Sequence, residues 1–368
     1  MRTPSVLILS NKNMTLNVEN PKISIVIPNW NGRKLLEQFM PSVVGQNYPS
    51  FEVVVLDNAS GDESVKFLED KYPQVRVVRN ERNDGTAEGS NVGARAARGE
   101  YLFFISNDMW LEPDVLTLMA AHLDQDPKVG ICTLKMRRIT ADGQRLMMLD
   151  SVGGIIDVFG FGYPRGINEE DHGQWDTPAE VGFSFGGALM TRRALYEKLG
   201  GYDPAYFTLT DDLDLSWRVR LLGYTVMAEP RAVLYHRVSA TLNTPAFKRA
   251  YRRFLSERNT IRMLLKNYRL MNLLWVIPGH LLLLLAEGIF FLLAGQWALA
   301  SAGPRSVAWN LRLWKDTREK RREIQTLRTV GDGVILKRRW RHIGKLWMII
   351  DIWKRRAHPD VVNFFRKG

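Results

Sequence analysis

The sequence predicts an α/β fold with a mostly parallel sheet flanked by helices, followed by a C-terminal helical region that associates with a membrane. Two observations lead to this prediction. Short apolar runs alternate with segments of helical spacing through the front of the chain, which is typical of βαβ units. Beyond residue 236 the chain becomes strongly basic and contains a long, nearly uncharged apolar band. With 368 residues, 45% of them hydrophobic and 24% charged, the composition excludes a disordered chain.

Four apolar runs in the front half are expected to form strands. They alternate with segments whose apolar residues recur at helical spacing, over 33–46, around Val65 and Leu68, and over 86–98. Strands of a parallel sheet are buried on both faces, so they appear in a sequence as continuous apolar runs. The four runs are 23–28, 51–56, 75–78 and 101–105.

Polar residues directly follow three of these predicted strands. Residues 29–31 follow the first strand, Asp57 the second, and residues 107–108 the fourth. A single acid after a strand is as easily a turn or a helix cap. The carboxyl ends of parallel strands, however, meet at one edge of a sheet, which is where ligands bind. Three polar clusters at that edge therefore predict a ligand site.

The net charge of +12 is distributed unevenly along the chain. Residues 1–236 have a net charge of −7, residues 237–269 of +8 and residues 301–368 of +12, whereas residues 270–300 contain one charged residue, Glu287. Basic segments are typical of proteins that bind nucleic acid or anionic membranes. Because the apolar band lies between basic segments and no nucleic-acid recognition motif is present, we expect membrane lipids and no nucleic acid as partners.

The apolar band over 270–300 has 23 apolar residues out of 31. As one helix it would span ~46 Å, more than the ~30 Å hydrocarbon core of a membrane. Basic residues flank both ends, so the positive-inside rule places both flanks on the cytoplasmic side. A folded hairpin is therefore favoured over a single crossing, with a buried pair of soluble helices as a third alternative. The segments 245–268 and 339–356 mix apolar with basic residues, as helices in the membrane interface do.

The chain therefore divides into five segments, with bounds 1–21, 22–240, 241–269, 270–300 and 301–368. They are an N-terminal extension, the α/β domain, a basic amphipathic helix, a hydrophobic membrane hairpin or transmembrane segment, and a basic amphipathic C-terminal region. The first twenty residues lack a secretion signal, and the single cysteine, Cys132, cannot form an internal disulfide. We expect the cytoplasmic face of the cell membrane as the location. The oligomeric state stays open, a homo-oligomer included.

Seven short motifs occur in order between residues 24 and 218. They are SIVIPNWNG (24–32), VLDNASGD (55–62), NDGTAEGSN (83–91), GEYLFFISND (99–108), GGALMTRR (186–193), GGYD (200–203) and DDLDLSWR (211–218). In this order and spacing they resemble the motifs of family-2 inverting glycosyltransferases with the GT-A fold. The rhamnosyltransferase and galactofuranosyltransferase-like branch is the most similar. The resemblance covers about residues 22–240.

The resemblance implies a nucleoside-diphosphate sugar as the donor. Asp57 would accept hydrogen bonds from the base or ribose, with a helix-capping role as the alternative. Trp30 would lie beside the nucleoside, or else belong to the core. The implied nucleotide-sugar-binding residues are Pro28, Asn29, Trp30, Asn31, Asp57, Asn83, Gly85, Asn91, Asn107 and Asp108.

The resemblance also implies a divalent metal, Mg²⁺ or Mn²⁺, on the diphosphate. These ions prefer a few carboxylates together with substrate phosphates. The family's Asp-x-Asp motif is Ser106-Asn107-Asp108 here, so the first acid is absent and Asp108 remains as the ligand, directly or through water. His236 ends the predicted strand 232–235 and matches a further metal-ligand position, with a purely structural role as the alternative.

Acids cluster before a predicted helix, where the helix macrodipole alone would favour them. Asp214 and Arg218 are four residues apart and are expected to form a salt bridge. By resemblance, Asp212 is the general base that removes a proton from the acceptor hydroxyl. Its neighbour Asp211 is the competing candidate, and it would raise the pKa of Asp212 by like-charge repulsion.

These features predict an inverting hexosyl- or deoxyhexosyltransferase of cell-envelope polysaccharide synthesis. The acceptor would be a hydroxyl of a lipid-linked glycan, with Gly186, Gly187 and Tyr206 on the acceptor side. One alternative is direct transfer to polyprenyl phosphate, as in dolichyl-phosphate-mannose-type synthases. Another is a non-catalytic sugar-nucleotide-binding assembly subunit, which the missing first acid at Ser106 permits.

Overall fold

The front half of the chain is built around a ten-stranded mixed sheet. The structure is a computed structural model that describes residues 20–238, 248–333 and 344. All four predicted strands are present. A separate pair of short strands lies outside this sheet. In chain order the strands are β1 (Ile23–Asn29), β2 (Phe51–Asp57), β3 (Arg76–Arg79), β4 (Tyr101–Phe104), β5 (Met109–Leu111), β6 (Val129–Ile139), β7 (Arg145–Val152), β8 (Gly154–Ile156), β9 (Gly162–Pro164), β10 (Ala179–Glu180), β11 (Leu189–Arg192) and β12 (Thr225–His236).

The strand order in this sheet is β10-β12-β6-β11-β4-β1-β2-β3, with β5 on β12 and β7 on β6. Strands β4, β1, β2 and β3 are mutually parallel, as expected, whereas β11 runs antiparallel between β4 and β6. The parallel half carries the three predicted polar clusters at one edge, and the antiparallel strand β11 joins it to the β6–β12 half.

Eleven α-helices and one 3-10 turn are present in the described residues. The three helices expected between the predicted strands appear within a few residues of their predicted positions, as the first three helices. The helices are α1 (Arg33–Val44), α2 (Ser64–Lys71), α3 (Gly85–Ala96), α4 (Val115–Gln125), α5 (Arg193–Lys198), α6 (Asp211–Leu221), α7 (Arg249–Asn267), α8 (Leu270–Leu293), α9 (Trp297–Ala300), α10 (Ala302–Arg312) and α11 (Trp314–Leu327), with the 3-10 turn over Pro204–Tyr206.

The sheet is buried on both faces. Ile25 and Val53 point into one apolar core, and their neighbours Val26 and Val54 point into the other, all with exposures of 2% or less. Because successive side chains of a strand face opposite sides, only an uninterrupted apolar run can fill both cores. This explains why these strands show no polar alternation in the sequence.

Helix α7 forms within the predicted basic segment, but its position differs from the expected one in the membrane interface. Much of the helix packs into the protein, where two of its cations are buried in ion pairs. Arg262 and Lys266 are each 1% exposed and form ion pairs with Asp203, and Lys266 also pairs with Asp214. Buried charges require such partners. The described part of segment 241–269 is therefore a packed helix of the protein body.

Helix α8 occupies the apolar band, for which a hairpin was favoured over a single crossing. Residues 270–293 form one continuous helix that includes Pro278, as the single-crossing alternative requires, and the chain turns at Gly295. A narrow stripe of Val276, His280 and Leu284 is buried, and most of the remaining surface is exposed and apolar. Within the described ranges, α8 is the one helix long and apolar enough to cross a membrane, with a mean hydropathy of 2.1.

Two predicted segments fall outside the described residues. The N-terminal extension over 1–21 is described only at residues 20 and 21, and the amphipathic segment over 339–356 only at residue 344. Neither prediction is tested.

Candidate active site

A row of hydrogen-bonded polar side chains lies at the carboxyl edge of the parallel strands. The amide nitrogen of Asn29 is 3.3 Å from the Asp57 carboxylate, and the amide of Asn107 donates to the Asn29 side-chain oxygen over 2.7 Å. The three side chains belong to residues that are 1–8% exposed. The structure thus brings together residues from three of the predicted clusters.

Residues 28–31 differ in burial and in the contacts that they make. Pro28 and Trp30 are half-buried, and Trp30 packs against a small cluster that contains Phe254 of α7. Asn31 has a φ of 49°, and its side-chain oxygen accepts the N–H of Gly61 over 2.8 Å. Asn31 therefore holds two loops of this edge together, which leaves less of its amide for a ligand.

The motif over 83–91, at the start of α3, forms a turn and contacts within the protein. The side-chain oxygen of Asn83 accepts the N–H of Gly85 over 2.9 Å. Asn91 lies one and a half turns further on, where its amide bonds both the N–H and the carbonyl of Tyr202 and accepts the hydroxyl of Tyr196. The predicted role of Asn91 in nucleotide binding is therefore replaced by a structural one.

Asp108 and His236 lie together at the end of the sheet. The two are close because β5 pairs with β12 and sets His236 opposite Met109. The Nε2 atom of His236 is 3.6 Å from Asp108 Oδ1, which is buried and has no hydrogen-bond partner. Nδ1 of His236 is 2.8 Å from the carboxylate of Asp150.

The carboxylates of Asp108 and Asp150 favour a positive charge between them. Burial lowers the pKa of His236, but the carboxylates of Asp108 and Asp150 outweigh it and raise that pKa to about 10. Within the described residues no three His, Cys, Asp or Glu side chains are arranged to hold a metal ion. The buried Oδ1 of Asp108, which accepts no hydrogen bond and lies beside the imidazole, nevertheless fits a cation that takes its other ligands from phosphates and displaces the imidazole proton. Asp150 lies inside β7 and outside every motif, so no sequence signal singled it out.

Asp211 and Asp212 form the first turn of α6. Asp212 accepts the N–H of Gly187 over 3.3 Å, and Asp211 accepts the hydroxyl of Thr86 over 3.2 Å. Burial and the negative charge of Asp211 raise the pKa of Asp212 to about 7, and burial raises the pKa of Asp211. A carboxyl group with a pKa near 7 is suited to accept a proton at neutral pH.

The glycine pair predicted on the acceptor side contacts this acid. Gly186 and Gly187 have φ values of 76° and 75°, a region that side chains disfavour, and this backbone points an N–H at Asp212. Tyr206 does not lie there: it ends the 3-10 turn, is 0% exposed, and has the Lys266 ammonium 4.6 Å from its ring centre. The prediction of Tyr206 on the acceptor side is therefore wrong.

The third acid of the cluster has a structural role, as expected. Asp214 pairs with Arg218 over 2.8 Å, and both side chains are buried. Asp214 also receives Lys266 and Asn267 from α7. The salt bridge inferred from spacing thus belongs to a larger buried network that joins α6 to the C-terminal helices.

Comparison with known proteins agrees with this architecture. Residues 24–200 match the model of glycosyl transferase family 2. An uncharacterized glycosyltransferase of Haemophilus influenzae is 32% identical over 108 residues, which are 29% of this chain and 36% of that protein. Poly-beta-1,6-N-acetyl-D-glucosamine synthase of Staphylococcus epidermidis is 24% identical over 228 residues, 60% of this chain and 51% of that protein. The crystal structure of GalNAc-T7 with UDP, GalNAc and Mn²⁺ aligns with a TM-score of 0.51 and 18% identity, over 67% of this chain and 48% of that one.

The chain is thus similar to glycosyl transferase family 2 over residues 24–200, and the structural likeness shows a fold of the expected GT-A-like type. The chain spans 26%, 36% and 51% of the length of the first three curated relatives that it matches.

Proposed function

We propose that this protein is an inverting glycosyltransferase with Asp212 as its general base. The observation that carries the proposal is the half-buried Asp212 carboxyl group beside Asp211, which has a pKa near 7 and accepts the N–H of Gly187 in the glycine pair before β11. The acceptor hydroxyl would give its proton to Asp212 while its oxygen attacks the anomeric carbon. The bond to the nucleoside diphosphate breaks with both electrons leaving on the phosphate, so the sugar carbon is inverted.

The donor would be a nucleoside-diphosphate sugar. The row Asn29–Asp57–Asn107 supports this, because it offers a carboxylate and amides to a ribose or base. Relatives act in poly-N-acetylglucosamine synthesis by name, and GalNAc-T7 was solved with UDP, which supports UDP-sugars as the first class to test. The motif resemblance to the rhamnosyl and galactofuranosyl branch adds dTDP-sugars.

Asp108 and His236 would hold a divalent cation, Mg²⁺ or Mn²⁺. When bound, the cation would neutralise charge that develops on the departing diphosphate. Asp150 would fix the imidazole of His236 through Nδ1, which leaves Nε2 directed towards Asp108. The absence of the family's first acid at Ser106 leaves the protein with few ligands, so binding of the cation would depend strongly on the nucleotide.

The acceptor would be a hydroxyl of a lipid-linked glycan at the cytoplasmic face of the membrane. The exposed apolar surface of α8 supports membrane attachment: Leu274, Leu282 and Phe290 are 64–67% exposed. An apolar patch of this kind is typical of membrane or protein interaction sites. Arg253 pairs with Glu287 over 2.6 Å, so the one acid of this helix is neutralised by α7.

The proposal is tested with the full chain in detergent. Thermal melts with UDP, dTDP, GDP and CDP, each with and without Mn²⁺, should show a metal-dependent rise for one nucleotide, since a ligand at ~100 times its Kd stabilises by about 2.7 kcal/mol. Sugar transfer from the matching donor to a membrane lipid extract should then occur with the wild type and be lost in Asp212→Asn. Turnover that survives Asp212→Asn would contradict the base assignment.

A further inference from the structure

The loop just before α6 has an unusual backbone. Phe207, Leu209 and Thr210 have φ values of 66°, 68° and 69°, although none of them is glycine. Left-handed conformations of bulky residues persist only where the surroundings hold them, and they concentrate at functional sites. Thr210 is followed directly by Asp211 and Asp212, so this loop delivers the acid pair.

Two neighbouring side chains of α7 contact this loop: Arg258 donates to the carbonyls of Ala205 and Tyr206, and Asn259 reaches further along it. Nδ2 of Asn259 donates to the carbonyls of Tyr206, Thr208 and Leu209, over 3.2, 2.9 and 2.7 Å. Carbonyl oxygens only accept, so the atom that faces them is the amide nitrogen, whose two protons serve three acceptors. Asn259 is 0% exposed; these contacts satisfy its amide nitrogen in the interior, and its side-chain oxygen accepts from Arg258 Nε over 3.3 Å.

The loop also contacts the donor side of the site. The carbonyl of Phe207 accepts the N–H of Ala87 over 3.2 Å and lies 3.3 Å from the Thr86 hydroxyl. The same hydroxyl lies 3.2 Å from the Asp211 carboxylate. Gly85 packs so closely on the Phe207 carbonyl that a Cβ atom would overlap it. The position of this loop therefore sets the distance between the start of α3 and the start of α6.

We propose that Asn259 is a positioning residue for the general base. By fixing residues 206–210 it holds the first turn of α6, and with it the Asp212 carboxylate, against Gly187. The inference rests on the proposed function. It assigns a part in the reaction to a helix that the sequence suggested was only a membrane-surface element. Nothing in the local sequence marks Asn259, because its three partners lie 50–53 residues away.

The test uses Asn259→Asp, which keeps the size of the side chain and replaces the donor by a carboxylate facing three carbonyls. The matched control is Asn310→Asp on α10, whose buried amide donates to the carbonyls of Arg258 and Ser306, 2.9 Å each, and not to a carbonyl of residues 206–210. For Asn259→Asp we expect kcat for sugar transfer to fall about 10- to 100-fold with the donor KM within about threefold, because misplacement of a reacting group acts on the chemical step. Asn259→Gln, which restores the donor, should recover part of the loss.

Amide hydrogen exchange provides a readout that is independent of activity. Exchange over residues 207–212 should accelerate about tenfold in Asn259→Asp and stay at the wild-type rate in Asn310→Asp. If Asn259→Asp does not melt cooperatively, Asn259→Ser, which keeps one donor on a smaller side chain, replaces it.

Equal losses of kcat in the two Asp variants, or unchanged exchange over 207–212, would overturn the role of Asn259 while leaving the enzyme in place. A wild-type protein that transfers no sugar from any of the tested donors would instead overturn the proposed function and the catalytic meaning of Asn259 with it.

Discussion

The backbone N–H of Gly187 points at the carboxylate of Asp212 across 3.3 Å. Only a residue without a side chain readily takes the φ of 75° that Gly187 has, so the two glycines before β11 and the acids of α6 form one unit. Two opposing effects act on Asp212: burial and Asp211 favour the protonated acid, and the N–H donors favour the carboxylate. The balance lies near neutral pH, where a base is most effective.

The first prediction concerns the pH dependence of the reaction. Asp212 must be ionised to accept a proton, so kcat/KM should rise with pH through about 7. Asp211→Asn removes the neighbouring charge and should move this acid limb to lower pH, because the pKa of Asp212 then falls. Asp214 and Tyr202 are the titratable groups that interact electrostatically with the pair. A profile between pH 5 and 9 that is unchanged in Asp211→Asn would contradict the coupling.

The second prediction concerns stability. Because the folded state raises the pKa of Asp212 from 3.8 to about 7, ionisation disfavours the folded state, and this penalty grows between those two pH values and is complete above them. Asp212→Asn should therefore raise Tm at pH 8 and leave it nearly unchanged at pH 4. Asp70→Asn, an exposed acid on α2, is the control and should show no such difference. A lower Tm of Asp212→Asn at pH 8 would show that its hydrogen bonds outweigh its burial.

The third prediction concerns the metal. Asp108→Asn and His236→Gln should each raise the Mn²⁺ concentration for half-maximal transfer, since each removes a ligand. Asp150→Asn should raise this Mn²⁺ concentration by a smaller factor, about tenfold, because Asp150 orients His236 and does not face the cation. His172→Gln, on an exposed loop, is the control. Metal titrations that coincide for His172→Gln and His236→Gln would exclude His236 as a ligand.

The parallel half of the sheet could be predicted because its signal is local. Runs such as 51–56 are apolar throughout, and polar residues follow them where the strands end. The errors arise where distant segments meet. The sequence could not distinguish a membrane-surface helix from α7, because Asp203 and Asp214, which neutralise Arg262 and Lys266, lie more than fifty residues away.

Asp150 and Asn259 could not be found for the same reason. The role of Asp150 comes from its contact with His236, 86 residues downstream. The role of Asn259 comes from a loop that lies 50–53 residues upstream. For Asn91 the motif itself misled the prediction. Its position in the motif suggested a contact with the ligand, but its side chain binds the backbone of Tyr202.

The fourth prediction concerns the packing of the donor edge. A Cβ atom on Gly32 would overlap the side chains of both Asn29 and Asn107, which are hydrogen-bonded to each other. Gly32→Ala should therefore separate them and raise the donor KM by about tenfold or more, the equivalent of one lost hydrogen bond to a buried group. Gly61→Ala is the matched control, because its Cβ would meet no atom within 4 Å. Equal donor KM values in the two variants would show that the pair does not shape the donor site.

The last prediction concerns α8. Changing Leu274, Leu282 and Phe290 together to Gln leaves its buried stripe intact and removes apolar surface that faces outward. Burial of each such side chain in a membrane stabilises by ~1.5–3 kcal/mol, so binding to vesicles with anionic lipids should weaken by at least about 100-fold in a sedimentation assay. Met147→Gln is the control, since Met147 is 49% exposed on β7, far from α8 in sequence. If the triple variant retains vesicle binding, attachment would have to come from another part of the chain, and the exposed face of α8 would need a protein partner instead, because a surface this apolar is unfavourable in water.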